Sequence, residues 1–198
     1  SDPQGILSRI RLDLVFFLVL VGFVFWGLSK REQVAVVSEV KKLLVTPTPA
    51  PYDDLTIPVL RTRTYQSNLG PREKLQDNVS YTSYLTSYTS DGLKINGLVT
   101  VPNGKPPAGG FPAIVFVHGY IPPKSYQTNG TAYARYVDYL AKNGFVVFKI
   151  DLRGHGDSEG QAEGAYYSSA YVIDTLNAYN ALEKSGFVNE KKIGIWGH

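Results

Sequence analysis

Three short segments of the 198-residue chain collect most of the side chains able to do chemistry: His118-Gly119-Tyr120, the run Asp151-Leu152-Arg153-Gly154-His155-Gly156-Asp157-Ser158-Glu159-Gly160, and Gly197-His198. In the first, a glycine behind a histidine lets the backbone turn sharply, so that the Tyr120 amide can face a cleft. A fixed N–H at such a point stabilises negative charge developing on a carbonyl oxygen, an effect on the order of 10²–10³ in rate. His118 is expected to bond nearby loop backbone rather than to carry a proton.

The second segment places Asp, Arg, His and Ser side by side, which invites a catalytic or metal-binding reading. Asp151, His155 and Asp157 meet no standard ligand spacing, so no metal is expected. Residues Gly156 to Gly160 spell Gly-x-Ser-x-Gly. No strand runs straight into that window, however, and acids on both sides of Ser158 disfavour an alkoxide. A tightly folded structural loop is predicted instead, shaped by Asp151, Gly154 and Gly156, with Arg153 in an ion pair.

Each segment follows a predicted strand. Ala113–Val117, Phe145–Ile150 and Lys192–Trp196 are short apolar or β-branched runs, as expected of strands buried in a sheet. Between them lie two predicted helices. Thr131–Asn143 carries Tyr133, Val137 and Leu140 at helical spacing, with Gly144 as a cap. Ala170–Lys184 carries Val172, Leu176, Tyr179 and Leu182 on one face, with Gly186 just beyond. Strands alternating with helices imply a parallel sheet with right-handed crossovers, whose carboxyl ends hold the sites. Upstream, Val79–Tyr88 and Leu93–Val101 flank Asp91-Gly92 and predict an antiparallel hairpin. Asn103–Pro112 is a Gly/Pro-rich loop.

Towards the N-terminus, Leu14–Leu28 is free of charge. As a helix it spans roughly 22 Å, which Ile10 and Leu12 lengthen towards the roughly 30 Å hydrocarbon core. Ser29-Lys30-Arg31-Glu32 follows without a small-x-small cleavage site, so an uncleaved signal anchor is expected over a cleaved signal peptide. Basic residues flank both ends and leave its orientation open. Gln33–Val45 is predicted as a short juxtamembrane helix, Thr46–Pro51 as a semi-rigid spacer, and the polar Tyr52–Gln76 stretch as linker. The resulting plan is an anchor over 1–31, a helix and linker over 32–78, and a catalytic-type domain over 79–198. A net charge of +3 without a basic stripe argues against nucleic acid as a partner. Absent cysteine removes zinc-finger, disulfide and thiol-nucleophile chemistry. Methionine is absent even at residue 1, so the sequence is expected to lack its true start.

From about Tyr81 to His198 the chain resembles an α/β-hydrolase, with the prolyl-oligopeptidase/dienelactone-hydrolase branch closest in pattern. The matching pieces are Ser90-Asp91-Gly92-Leu93-Lys94-Ile95, then Pro112 through Gly119, then Asp151 through Ser158, then Ile193 through His198. The resemblance implies the N-terminal half of an α/β-hydrolase fold: a β-hairpin, then parallel strands with crossover helices, preceded by a transmembrane or signal helix. It implies that Gly197 and His198 open a Gly-x-Ser-x-Gly elbow whose serine falls just past His198, with an aspartate and a histidine later. The Tyr120 amide would then supply half of an oxyanion hole, supported by His118 and Gly119. Such a protein is a serine hydrolase cleaving a small ester or peptide by an acyl-enzyme route, without a cofactor. The chain alone would be inactive and, with an unpaired edge at the last strand, would fold poorly. Anchoring through residues 10–28 would place the hydrolase domain outside the cytoplasm, or signal cleavage would release it. The competing expectation is a membrane-anchored, non-catalytic binding module on the same fold.

Overall fold

The structure, a computed structural model, describes residues 26–44, 52–162 and 167–198. The chain divides into two compact units, Ser1–Pro51 and Tyr52–His198. In the first, helix α1 (Lys30–Leu44) starts three residues earlier than expected. The reason is local. The Ser29 amide donates to the Glu32 carboxylate at 2.8 Å and the Glu32 amide to the Ser29 hydroxyl at 3.5 Å, the reciprocal arrangement that opens a helix. The expected anchor over Leu14–Leu28 and the spacer over Thr46–Pro51 lie largely outside the described residues. Among the described residues no helix is long and apolar enough to cross a membrane.

In the second unit, a short 3₁₀ turn (Asp53–Leu55) and helix α2 (Ile57–Thr62) lead to a six-stranded sheet. Its strands are β1 (Glu73–Asp77), β2 (Tyr81–Ser90), β3 (Leu93–Pro102), β4 (Phe111–Val117), β5 (Val146–Ile150) and β6 (Val188–Gly197), in the order β1-β2-β3-β5-β4-β6. The stretch read as linker therefore contributes both helical turns and an edge strand. Its polarity misled because every residue of β1 is exposed, and only pairing with β2 holds it.

The expected hairpin forms as β2–β3, with Ser90 opposite Leu93 across the Asp91-Gly92 turn. β4 pairs in parallel with β5 on one side and β6 on the other. β5 is buried along its whole length because both sheet faces are covered there. Helix α3 (Ala134–Lys142) lays Val137 and Leu140 on Phe116 and Val147. Helix α4 (Ala170–Glu183) lays Ala178, Ala181 and Leu182 on the opposite face, against Val115, Phe148 and Ile150. Alternate residues of β4 and β5 thus feed two separate cores, which the period-2 side-chain direction of a strand requires.

Three expectations need correction. α4 buries Ala170, Ile173, Asp174, Asn177, Ala178, Ala181 and Leu182, whereas Val172 is 49% exposed. Of the expected stripe, Leu182 is buried and Tyr179 packs on the core, while the alanines, Asp174 and Asn177 that complete the packing face escape a count of large apolar residues. α3 starts after Tyr133, which sits outside the helix in the left-handed region at φ 62°. β6 is longer than Lys192–Trp196 and is not buried: Ile195 is 50% and Trp196 37% exposed, because β6 is the sheet's edge in the described residues.

Candidate active site

The chain leaves β4 towards β5 on one side and enters β6 on the other, with α3 and α4 crossing on opposite faces. That divergence is the topological switch point, the place where open α/β sheets put their ligand crevice, at the carboxyl end of β4. The three chemistry-bearing segments all emerge there. The ladder between β4 and β6 runs on past Gly197, whose neighbour His198 donates its amide to the Val117 carbonyl at 3.1 Å.

Gly119 lies against His198. A Cβ on Gly119 would come within 2.7 Å of His198 Nδ1, 3.1 Å of the His198 carbonyl oxygen and 2.6 Å of the Tyr133 hydroxyl. A side chain here would have to push the Tyr133 hydroxyl and the His198 ring aside. The Gly119 amide donates to the Tyr133 hydroxyl at 3.0 Å, and that hydroxyl lies 3.0 Å from His198 Nδ1. The Tyr120 amide makes no hydrogen bond among the described residues, and the Tyr120 side chain is 89% exposed.

His118 is surrounded by loop backbone and aromatic rings. Its ring is buried, with Nε2 3.0 Å from the Asp151 carbonyl and Nδ1 2.8 Å from that of Gly119. It stacks on Tyr126 at 4.4 Å between ring centroids and meets the His155 ring edge-on at 5.0 Å. Asp151 is wholly buried and accepts hydrogen bonds from the Tyr126 hydroxyl (2.9 Å) and from Thr128 Oγ1. Burial pushes its carboxyl above the ordinary range, while Thr128, Tyr126 and Lys149 pull it back. Lys149 is itself buried, its ammonium 5.3 Å from the Tyr126 ring centre, and burial lowers its pKa. Burial also lowers His155, whose Nδ1 lies 3.2 Å from the Arg153 carbonyl. The loops after β4 and β5 are therefore fastened to one another below the crevice.

Arg153 forms the expected ion pair, and its partner is Asp174 on α4. Nη2 lies 2.7 Å from Oδ1, Nε 3.1 Å from Oδ2, and the Arg153 amide donates to Oδ2 at 3.0 Å. Ser90 donates a further 2.6 Å bond to the same carboxylate, so Asp174, fully buried, is multiply satisfied. Asp91 at the hairpin turn adds a weaker contact to Arg153 at 3.5 Å. Gly154 has φ 71°, and a Cβ there would overlap the Ala162 amide. Gly156 also takes positive φ. Ser158 is buried and its hydroxyl accepts from the Asn96 amide at 2.9 Å, which pins the loop to β3. No group of His, Asp or Glu able to hold a metal occurs among the described residues.

Sequence reasoning did not find Tyr126, Thr128, Tyr133, Lys149 or Asp174. One signal for Asp174 was available: an acid amid apolar residues of a helix needs a buried cation, and Arg153 was already marked for a pair. Nothing local marks Tyr126 or Tyr133, whose partners are set by the tertiary fold.

Residues 111–198 match the family described as Serine aminopeptidase, S33. The thiohydrolase aneE of Aspergillus aculeatus is 29% identical over 55% of this chain and 31% of its own length. Among solved structures, an acetyl xylan esterase from Paenibacillus sp. R4 superposes with TM-score 0.52 at 22% identity, over 69% of this chain and 47% of that one. A hypothetical protein from Pseudomonas aeruginosa superposes with TM-score 0.50 at 19% identity, over 61% of this chain and 36% of that one. The chain spans about a third of the curated relative's length and under half of either structure's. The strand order, the loop positions and the likeness to the esterase structure together show an α/β-hydrolase fold.

Proposed function

We propose that the protein carrying this chain is a serine hydrolase, cleaving an ester or peptide bond through an acyl-enzyme, with its attacking hydroxyl on the residue that follows His198. One observation carries this: Gly119 packs directly on His198, while the adjoining Tyr120 amide has no partner among the described residues. An unspent N–H beside the end of a central parallel strand is what a tetrahedral oxyanion needs. In this reading the Tyr120 amide donates to the oxyanion, His118 and Gly119 hold its loop, and Gly197 and His198 begin the elbow. The general base and its acid come from outside this chain, since His118, His155 and Asp151 are all engaged in holding loops. The name of the curated relative, a thiohydrolase, and that of the matched esterase structure are consistent with acyl transfer from sulfur or oxygen. The chain alone is inactive in this reading, and the finer kinship with prolyl-oligopeptidase-like enzymes rests on the motif pattern.

The test is labelling of the whole protein with a fluorophosphonate probe, followed by peptide mapping. A covalent adduct on the residue after His198, abolished by alanine there, is the expected result. A folded protein that takes up no probe sinks the hydrolase reading in favour of a non-catalytic binding module. Anchoring through residues 10–28, with the second unit outside the cytoplasm, is part of the same proposal and rests on the apolar Leu14–Leu28 run. Release of the protein from membranes by alkaline carbonate would overturn it.

A further inference from the structure

The Tyr133 hydroxyl touches both halves of the crevice. Its oxygen accepts the Gly119 amide at 3.0 Å on the β4 side and lies 3.0 Å from His198 Nδ1 on the β6 side. Because Gly119 can only donate, the phenolic proton is free to go to His198 Nδ1, which places the imidazole proton on Nε2. The ring is steadied by Phe116 at 5.5 Å and meets the His198 ring at 5.1 Å.

The backbone gives an independent sign that this placement matters. Tyr133 occupies the N-cap of α3 at φ 62°, a region that a bulky side chain rarely adopts. It makes no side-chain cap, although serine, asparagine or aspartate there would satisfy a free helix amide. The chain thus forgoes both a relaxed backbone and a helix cap at the one position that delivers this hydroxyl to the crevice.

We propose that Tyr133 is a positioning residue, its hydroxyl latching Gly119 of the oxyanion loop to His198 of the elbow. The latch fixes the separation between the Tyr120 amide and the residue after His198, and by occupying the Gly119 amide it leaves Tyr120's as the donor facing substrate. The catalytic consequence rests on the serine-hydrolase reading, but the latch itself does not.

Tyr133→Phe in the whole protein keeps the ring and removes the bridge. Tyr136→Phe is the control: it lies on the same helix, and its hydroxyl makes no hydrogen bond among the described residues. For Tyr133→Phe, exchange of the Gly119 amide should quicken about tenfold or more. The His198 ring ¹⁵N resonances should move away from a pure Nε2–H tautomer. Ester turnover should fall about 10- to 100-fold in kcat with KM within about twofold, because misplacement by a fraction of a bond length acts on the transition state. Tyr136→Phe should change none of these. A folded Tyr133→Phe with wild-type Gly119 exchange and His198 shifts overturns the latch, as does a kcat loss matched by an equal loss of thermal stability. Should Tyr133→Phe not fold, 3,5-difluorotyrosine at position 133 preserves shape while making the hydroxyl a stronger donor. His198 Nδ1 responding to it supports the latch, and an unmoved resonance overturns it. A wild-type protein unlabelled by fluorophosphonate sinks the hydrolase reading, and the resonance and exchange data then decide the latch separately.

Discussion

His155 is held neutral by its surroundings. Burial is the main cause, reinforced by the His118 ring, and it sets the pKa below the ordinary 6.5 despite the opposing pull of the Arg153 carbonyl and Asp151. The folded state therefore binds this proton less readily than the unfolded chain does. Stability from His155 is complete above 6.5 and is lost as pH falls through the lower folded value. The urea midpoint should drop between about pH 7.5 and 5, and His155→Gln should flatten that slope. Asp151 acts in the opposite sense, because its raised pKa makes proton uptake favourable to the fold, so the decline should slacken at lower pH. Nearby, Asp174→Ala would leave the largely buried Arg153 guanidinium without its main partner, at a cost of about 3–5 kcal/mol. Replacing both, as Arg153→Met with Asp174→Leu, should recover part of that loss, and chemical denaturation of the three variants would show it. At this scale the loop residues were legible because glycines, a proline-free turn pattern and paired charges leave a local trace. Tyr126 and Thr128 left none: an aromatic and a threonine in a connecting loop look the same in sequence whether or not a buried carboxylate awaits them.

The hairpin, the later strands and the two crossover helices were legible to within a few residues, whereas the elements of the polar 52–77 stretch and burial inferred from size alone were not. α4 shows why. Its packing face sets Ile173 and Leu182 among three alanines, an aspartate and an asparagine, and the small residues let the helix sit close enough to the sheet for Asp174 to reach Ser90 and Arg153. Larger side chains would hold the helix off. Ala181→Leu should therefore destabilise by about 1–3 kcal/mol through overpacking against the sheet. Val172→Lys, on the face that hydrophobicity alone selects, should stay within about 0.5 kcal/mol of wild type. Equal effects from the two, read as thermal midpoints, would place the packing face where the apolar count puts it. β1 makes the complementary point: five exposed residues carry no hydrophobic signature, and their place in the sheet comes from backbone bonds to β2 that no side-chain pattern announces.

At the scale of the second unit, the sheet formed by the described residues runs from the polar, exposed β1 at one end to β6 at the other. Among the described residues β6 bonds to β4 along one side only, and it shows Ile195 and Trp196 to solvent beside Tyr136. A long edge strand with apolar side chains and a free row of backbone donors and acceptors is a template for pairing with another chain. Its lysines, Lys191 and Lys192, lie in the first half, so the stretch from Ile193 to Trp196 has no charge to guard it. The isolated unit 52–198 should accordingly associate with itself as concentration rises, and the expected contact is β6 against β6. Ile195→Lys puts a charge in the middle of the unguarded stretch without touching a buried residue. It should shift the onset of association, followed by light scattering, several-fold upward in concentration while leaving the circular dichroism unchanged. Val172→Lys adds the same charge at an exposed site on α4, away from β6, and should not. If the two substitutions protect equally, net charge and not the open edge governs association, and β6 is not where copies meet.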